Sequence, residues 1–127
     1  MAFSTWNGRE SFAIFPGVAV HAFGGEQVLL CRVTYQPGTT VARHAHAQTE
    51  QVMAIVDGEV TVTVEGETRD VKAGDVIVIN RGVRHSLFSE NGVTLFEALA
   101  PVPLDHVPDR DRDLVVGPDG GSDHVER

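Results

Sequence analysis

Cysteine is almost absent from this sequence, and that absence limits the kinds of site the chain can build. A single residue, Cys31, excludes an internal disulfide and a cysteine-rich zinc site. Because Cys31 lies in the apolar stretch VLLCRV, we expect it to be a small buried side chain of a β-strand.

Positive charge is also scarce, with 10 Lys and Arg against 18 Asp and Glu and a formal net charge of −8. The basic residues form no patch along the chain, which argues against binding to a nucleic-acid backbone. No apolar run approaches the roughly 20 residues that cross a bilayer. The N-terminus, MAFSTWNGRE, lacks the basic-then-apolar pattern of a secretory signal. We therefore expect a soluble cytoplasmic protein with neither a nucleic-acid nor a membrane partner.

Strand-forming stretches dominate the middle of the sequence, and no stretch has convincing helical periodicity. In EVTVTVEGE, Val60, Val62 and Val64 alternate with polar residues, which predicts a half-buried strand. VIVIN, residues 76–80, is a short apolar run typical of a strand buried on both faces. Further strands are predicted at residues 26–35 and 92–100.

Glycine-containing turn signals separate these strands, and Asp-Gly and Asn-Gly are the dipeptides that tight hairpins prefer. The signals occur at residues 37–38, 57–58, 65–66, 73–75, 81–82 and 91–92. Many short strands separated by turns at short intervals indicate an all-β sandwich or a small barrel.

The chain divides into three segments by composition. With 127 residues and 42% hydrophobic content, it is large enough for one domain with a buried core. Residues 26–104 would form the barrel, and residues 1–25 would add one or two strands. Trp6 is expected to cover one end of the barrel or to pack against a second subunit. Residues 105–127 are acidic and rich in Pro and Gly, which predicts an extended or partly disordered arm.

Two histidines, His44 and His46, lie two positions apart in RHAHAQTEQ. On a β-strand, side chains at this spacing point the same way and lie ~7 Å apart, so both can reach one metal ion at ~2.1 Å. A pair alone is more often an ordinary pair of core or exposed histidines, so a metal site requires partners from elsewhere in the chain. His21 and His106 have no partners at ligand spacing and are interpreted as structural or solvent-facing.

Two longer motifs supply the partners that the histidine pair requires. They are Gly38-x5-His44-x-His46-x4-Gln51-x6-Gly58 and Gly74-x5-Asn80-x-Gly82-x2-His85-x3-Ser89. Together they resemble the two signature motifs of the cupin superfamily, over roughly residues 26 to 100. The resemblance implies a double-stranded β-helix, or jelly-roll, barrel and a homodimer with N-terminal strands at its interface. It also implies one metal ion bound by His44, His46, Gln51 and His85.

The fourth ligand position is where the sequence departs most from this pattern. Gln51 stands where many cupins have glutamate, and Glu50, one residue earlier, is the alternative ligand. Side-chain alternation does not choose between them, because residues 52–56 look apolar on both faces. The spacing of six residues to Gly58 favours Gln51, and a subset of small cupins uses glutamine at this position.

The neutral ligand set favours one kind of chemistry over another. Three histidines and a glutamine leave a divalent ion its full +2 charge, which makes it a strong Lewis acid. That favours enolisation, isomerisation, cyclisation or ring opening over oxygen chemistry, and Zn, Ni, Mn and Fe are all compatible with the ligands.

Known cupins indicate a substrate class. By resemblance, cupins with this ligand set include enzymes that open unsaturated uronates and cyclases of polyketide assembly. We therefore expect a small-molecule partner, an oxygen-rich carbonyl compound. The alternatives are an Fe(II)-dependent dioxygenase and a binding or sensor module without turnover.

Two carboxylates are candidate proton carriers. Glu50, unless it is a ligand, is the nearer one in sequence. Glu97 has apolar neighbours that would raise the pKa of its carboxyl group, with an outward-facing position on an edge strand as the alternative.

Substrate contacts are predicted from the same strands. Arg32 and Tyr35 have opposite parity on one strand, so at most one of them faces the cavity. Arg32 would bind a carboxylate, whereas Tyr35 would suit an aromatic ring. The candidate pocket walls are Met53, Ile55, Leu87 and Phe88.

Overall fold

Eight β-strands make up the part of the chain that the computed structural model describes, residues 3–11, 13 and 15–103. They are β1 (Val18–Gly24), β2 (Leu29–Tyr35), β3 (Thr39–His44), β4 (Glu50–Val64), β5 (Glu67–Lys72), β6 (Val76–Ile79), β7 (His85–Ser89) and β8 (Val93–Ala100). The predicted all-β jelly roll is confirmed. The described residues include no helix long and apolar enough to span a membrane. The arm predicted at residues 105–127 lies outside them.

The strands form two antiparallel sheets that share β4. The first sheet has the order β1-β2-β8-β4-β6, and the second has the order β3-β7-β4-β5. β4 is 15 residues long. Its residues 50–58 pair with β8 in the first sheet, and its residues 59–64 pair with β5 in the second. One continuous strand therefore passes from one layer of the barrel to the other.

The core lies between the inner faces of the two sheets. In the second half of β4, Val60 and Val62 are buried while Thr61 and Thr63 are partly exposed, so the predicted alternation is confirmed. Burying a valine or leucine side chain stabilises a fold by about 1.5–3 kcal/mol. The largest fully buried apolar side chains are Leu29, Met53, Ile79, Leu95 and Leu99.

The prediction of a turn at Asp57-Gly58 is wrong, because β4 continues through this dipeptide. The register against β8 shifts between Ile55 and Asp57, and Gly58 has a φ of +83°. The dipeptide therefore forms a β-bulge at the point where β4 changes sheets. A Cβ atom on Gly58 would lie 2.4 Å from the carbonyl oxygen of Gly92, so only glycine fits without a backbone shift.

The prediction that residues 76–80 are buried on both faces is also wrong. Val76 and Val78 are 61% and 56% exposed, whereas Ile79 is buried. Among the described strands, β6 pairs only with β4 and so lies at the edge of the first sheet. Its inner face reaches the core, and its outer face is open to solvent.

The segment before β1 packs on the outer face of the first sheet. The ring of Trp6 lies 4.8 Å from that of Phe23 and 5.9 Å from that of Phe96, measured between centroids. The Arg9 guanidinium stacks 4.1 Å from the centre of the Phe23 ring and donates hydrogen bonds of 2.9 and 3.2 Å to the carbonyl oxygen of Ala22. Trp6 therefore contacts its own sheet, beside the edge formed by β1.

Candidate metal centre

Three buried histidines converge inside the barrel. His44 ends β3 and pairs with His85 at the start of β7, and His46 follows two residues after β3. His44, His85 and His46 are only 3%, 1% and 5% exposed, respectively. Their candidate ligand atoms all lie within 4.8 Å of one another. Since metal–nitrogen distances are ~2.1 Å, this spacing is compatible with one shared ion.

Backbone carbonyl groups orient two of the histidine rings. The Nδ1 atoms of His44 and His85 lie 2.8 and 3.0 Å from the carbonyl oxygens of Ala42 and Val83. Since a carbonyl oxygen can only accept a hydrogen bond, each Nδ1 carries the proton and each ring keeps its lone pair on Nε2. A neutral imidazole held by such a bond is the form that binds a metal ion.

Gln51 is brought to the same cavity by the inner face of β4. It is 5% exposed, and its Nε2 donates a hydrogen bond to the Glu97 carboxylate. Its Oε1 has no hydrogen-bond partner among the described residues. A buried polar atom left in that state costs roughly 1–3 kcal/mol, and a bound cation would remove the cost. Imidazole nitrogens and an amide oxygen together fit a divalent transition metal ion.

Glu50 lies on the opposite side of β4 from Gln51. It is exposed, as are Val52 and Val56, whereas Met53 and Ile55 are buried. The side-chain alternation that the sequence left ambiguous is therefore regular in the structure, with odd-numbered residues inward. The cavity receives the amide of Gln51, and the carboxylate of Glu50 points away from it.

Glu97 is the carboxylate that the structure brings to the cavity. It lies on β8, directly across from Cys31 on β2 and Met53 on β4. Burial, reinforced by the Glu97 charge, raises the pKa of the Cys31 thiol and of the Tyr35 phenol well above their usual values. Both groups are therefore neutral in the folded protein near neutral pH.

The cavity beside the histidines is small. Its volume is about 40 Å³, enough for a few water molecules. Tyr35, Leu87 and Glu97 contribute to its walls, as does Phe15 from the segment before β1. The Phe15 ring lies 5.4 Å from that of His44. No motif or periodicity marks Phe15 in the sequence, because only the folded barrel brings that segment over the site.

Several side chains expected at the cavity lie elsewhere. Arg32 is exposed on the outer face of β2, since it has the opposite parity to Tyr35. Phe88 is 42% exposed on the outer face of β7, opposite in parity to the buried Leu87. Met53 and Ile55 are buried in the core without lining the cavity. Arg32 and Phe88 point outward because side chains alternate along a strand. Met53 and Ile55 lie further along β4 than Gln51, so they pack in the core and do not line the cavity.

Comparison with protein families gives a match over just over half of the chain. The family model described as the cupin domain matches residues 31–96. Among curated proteins, a stretch of 53 residues is 38% identical to the HTH-type transcriptional regulator PuuR of Escherichia coli (strain K12). That stretch is 42% of this chain and 29% of the regulator, so it spans less than a third of the regulator's length.

Solved structures share the fold over most of the chain. An RmlC-like cupin from Shewanella frigidimarina is 25% identical with a TM-score of 0.79, covering 84% of this chain and 96% of that chain. KdgF from Halomonas sp. is 20% identical with a TM-score of 0.73, covering 80% of this chain and 94% of that chain. At these identities the likeness concerns the fold.

Proposed function

Because the chain belongs to the cupin family, we propose that it is a metal-dependent enzyme whose three histidines and Gln51 bind one divalent ion. The observation that carries the proposal is the convergence of His44, His46 and His85, with ligand atoms within 4.8 Å of one another. The buried Oε1 of Gln51 supports it, because a cation is the partner that this oxygen lacks among the described residues.

We propose chemistry of a non-redox type, such as isomerisation, cyclisation or ring opening of a small oxygen-rich carbonyl compound, for example a uronate or a polyketide. A bound Zn, Ni, Mn or Fe ion would supply Lewis acidity toward a carbonyl or hydroxyl oxygen of the substrate. The four ligands are neutral, and the outward position of Glu50 keeps a carboxylate out of the set. The structural likeness to KdgF supports the scaffold for this chemistry.

Glu97 has two roles in this proposal. Its carboxylate accepts the hydrogen bond from Gln51 Nε2, which fixes the amide so that Oε1 is the end available to an ion. The same carboxylate is the acid–base group of the cavity, because it lies among apolar walls and can hold or release a proton next to a bound substrate. Glu50, exposed on the outer face of β4, performs neither role.

The walls of the cavity determine what can approach the histidines. The neutral Tyr35 phenol and the apolar side chains of Leu87 and Phe15 limit the cavity to a few water molecules. A volume of about 40 Å³ admits only the reacting end of a sugar-sized or aromatic substrate. Phe15 is the wall residue that comes from the segment before β1.

A binding or sensor module without turnover is the second candidate function. The 53-residue similarity to part of the transcriptional regulator PuuR favours it over the third candidate, an Fe(II)-dependent dioxygenase. In this alternative the cavity would bind a small molecule, and the barrel would pass that signal to another domain or protein.

Elemental analysis of the untagged protein as purified tests the proposal. We expect about one equivalent of a single transition metal in the native protein, its loss in His44→Ala, and its retention in the control His21→Ala. His21 lies on β1 opposite Arg32, on the outer face of the first sheet, and so matches the residue type without contacting the cavity. If the bound metal is zinc or nickel, the next assays are uronate ring opening and polyketide cyclisation. If it is iron, the next assay is oxygen consumption.

The opposite result would replace this proposal. The native protein would hold no metal after purification in chelator-free buffer and would take up none on titration, while His44→Ala folds normally. In that case the histidines have only a structural role. The binding module then becomes the leading function.

A further inference from the structure

We propose that the hydroxyl group of Tyr35 binds a second oxygen of the substrate, beside the oxygen that approaches the histidines. The substrate class that follows is a compound whose reacting end has uncharged oxygens on two neighbouring carbon atoms, such as a hydroxyketone or a diketone. This inference rests on the function proposed above, because it concerns the same cavity.

Tyr35 is the exception among the buried hydroxyl groups of the described residues. The others belong to Thr39, Thr49 and Ser89, and each donates a hydrogen bond to a backbone carbonyl oxygen, at 2.6, 3.1 and 2.8 Å, respectively. Tyr35 is only 7% exposed, yet its hydroxyl has no hydrogen-bond partner within the described part of the chain. A buried donor in that state is destabilising until a ligand or a water molecule accepts its hydrogen bond.

The free donor belongs to a side chain that lines the cavity. Tyr35 shares the cavity wall with the three histidines, Gln51 and Glu97. Burial, reinforced by the charge of Glu97, raises the pKa of the phenol, so the hydroxyl keeps its proton near neutral pH. The phenol can therefore donate a hydrogen bond to an oxygen of a substrate bound next to the histidines.

The charges around the cavity determine which kind of oxygen Tyr35 can bind. The described residues that line the cavity include no Lys or Arg, and Glu97 is the one carboxylate among them. Because the Glu97 charge acts on the phenol, a substrate carboxylate at the same place would be repelled without a cationic side chain to offset the repulsion. The oxygen beside Tyr35 therefore belongs to a hydroxyl or carbonyl group, and a uronate would have to keep its carboxylate elsewhere.

The size of the cavity limits how far apart the two oxygens can be. Its volume of about 40 Å³ holds only a few water molecules. A substrate that replaces this water must provide oxygens of its own to the groups that the water would have served. Both oxygens fit such a volume when they lie on neighbouring carbon atoms.

A single labelled carbon atom can report on this contact. Tyr35 is the one tyrosine in the sequence, so tyrosine labelled with carbon-13 at Cζ gives one NMR signal, from the carbon that carries the hydroxyl. The zinc-loaded full-length protein is titrated with hydroxyacetone and, separately, with butanone, which has a methyl group in place of the hydroxyl. Hydroxyacetone should bind about three- to tenfold more tightly than butanone and should shift the Tyr35 signal. Butanone should leave the signal unchanged.

The variant Tyr35→Phe removes the hydroxyl and keeps the ring. Ligand-observed NMR titration, which needs no tyrosine signal, should show that hydroxyacetone has lost its three- to tenfold advantage over butanone. The affinity for butanone and the zinc content should stay within about twofold of the native values. Leu87→Val is the control, since it reshapes the same wall without removing a donor, and it should change the affinity for both probes by the same factor.

Thermal unfolding separates this role from a structural one. In the protein without added probe, Tyr35→Phe should unfold at the same temperature as the native protein or at a higher one, because phenylalanine leaves no buried donor unpaired. A hydroxyl that stabilises the fold through a hydrogen bond of its own would instead lower the unfolding temperature when removed. That result would overturn the assignment.

The remaining outcomes are equally decisive. Failure of hydroxyacetone to bind the zinc-loaded protein, or equal affinity for hydroxyacetone and butanone, would overturn the inference, as would equal losses of both in Tyr35→Phe. Pyruvate has a carboxylate in place of the hydroxymethyl group, and tighter binding of pyruvate with a shift of the Tyr35 signal would overturn the uncharged substrate class. A chain that binds no zinc would overturn the metal proposal, whereas zinc binding without any effect of Tyr35 would overturn this inference alone.

Discussion

The two halves of β4 present different outer faces, although they belong to one continuous strand. In the first half, which lies in the first sheet, the outward side chains are Glu50 and then Val52, Ala54 and Val56. In the second half, which lies in the second sheet, Thr61 and Thr63 take the outward positions. The change occurs at the bulge between the two sheets.

Hydrogen bonds accompany the polar outer face of the second half. The hydroxyl of Thr61 donates to the Asp70 carboxylate at 2.6 Å, and the hydroxyl oxygens of Thr63 and Thr68 lie 2.9 Å apart. These cross-strand pairs to β5 suit a sheet surface in contact with water. In the first half, the outward positions after Glu50 are aliphatic: Val52, Ala54 and Val56.

The inner faces of the two halves are alike, and that likeness explains why the outer faces can differ. Met53 and Ile55 in the first half and Val60 and Val62 in the second are all buried. Closing the barrel requires only this inner alternation. The composition of each outer face is then free to follow what that face contacts, which is water for the threonines of the second sheet and the N-terminal segment for part of the first.

The largest effect is expected at the junction of the two halves. Gly58→Ala should reduce the free energy of unfolding by about 2–5 kcal/mol, because it combines a left-handed backbone with a clash against the carbonyl oxygen of Gly92. Gly66→Ala is the control, since Gly66 has the same φ of +83° and no atom within 4 Å of an added Cβ. It should cost about 1 kcal/mol, measured by chemical denaturation. Equal costs would show that the close approach at the bulge is unimportant.

A somewhat smaller effect should separate the two faces of the first half of β4. Gln51→Ala is expected to weaken metal binding at least about tenfold, because it removes the buried amide oxygen from the cavity. Glu50→Ala, one residue away and exposed, should leave the affinity within about twofold. Competition titration against a chromophoric chelator measures both. Equal or reversed losses would contradict the assignment of Gln51.

The smallest of the three effects is a change of stability with pH. It arises on β2, where Cys31 points inward and Arg32 outward. Because burial raises the pKa of Cys31, its thiol stays protonated in the folded state above the usual value of about 8.5. The unfolded chain releases that proton as the pH rises. The stabilisation that comes from the protonated Cys31 thiol is therefore fully present below about pH 8.5 and is lost progressively above it. The expected slope is about 1.4 kcal/mol per pH unit.

Cys31→Ala isolates this contribution. Denaturation of the chelator-treated protein between pH 7 and pH 9.5 should give a decline for the native sequence and a flatter profile for the variant. The Tyr35 phenol, also shifted upward in pKa, adds its own decline only above about pH 10. Parallel profiles for the two proteins would mean that the Cys31 thiol ionises as readily in the folded state as in the unfolded one.

The same contrast explains how much of the fold the sequence could predict. The second half of β4 was recognisable because its outward residues are polar, so the period of two is visible in Val60, Val62 and Val64. The first half carries apolar residues on both faces, which hid its parity and left the choice between Gln51 and Glu50 open. The misassigned burial of β6 has the same origin, because its exposed Val76 and Val78 continue that apolar outer face.

The histidine cluster was more predictable than the cavity around it. Motif spacing identified His44, His46 and His85, of which His44 ends β3, His85 begins β7 and His46 lies two residues beyond β3. The wall residue Phe15 comes from outside both motifs, and its position depends on how the N-terminal segment crosses the barrel. Asp57-Gly58 was misread as a turn because a bulge and a hairpin use the same left-handed glycine.

The position of Trp6 gives the molecule an optical reporter. It is the one tryptophan in the sequence, and it packs on Phe23 and Phe96. Because these two rings lie on β1 and β8, the indole reports on the contact between the N-terminal segment and the outer face of the first sheet. The wavelength of its fluorescence emission should therefore shift when the N-terminal segment leaves the first sheet.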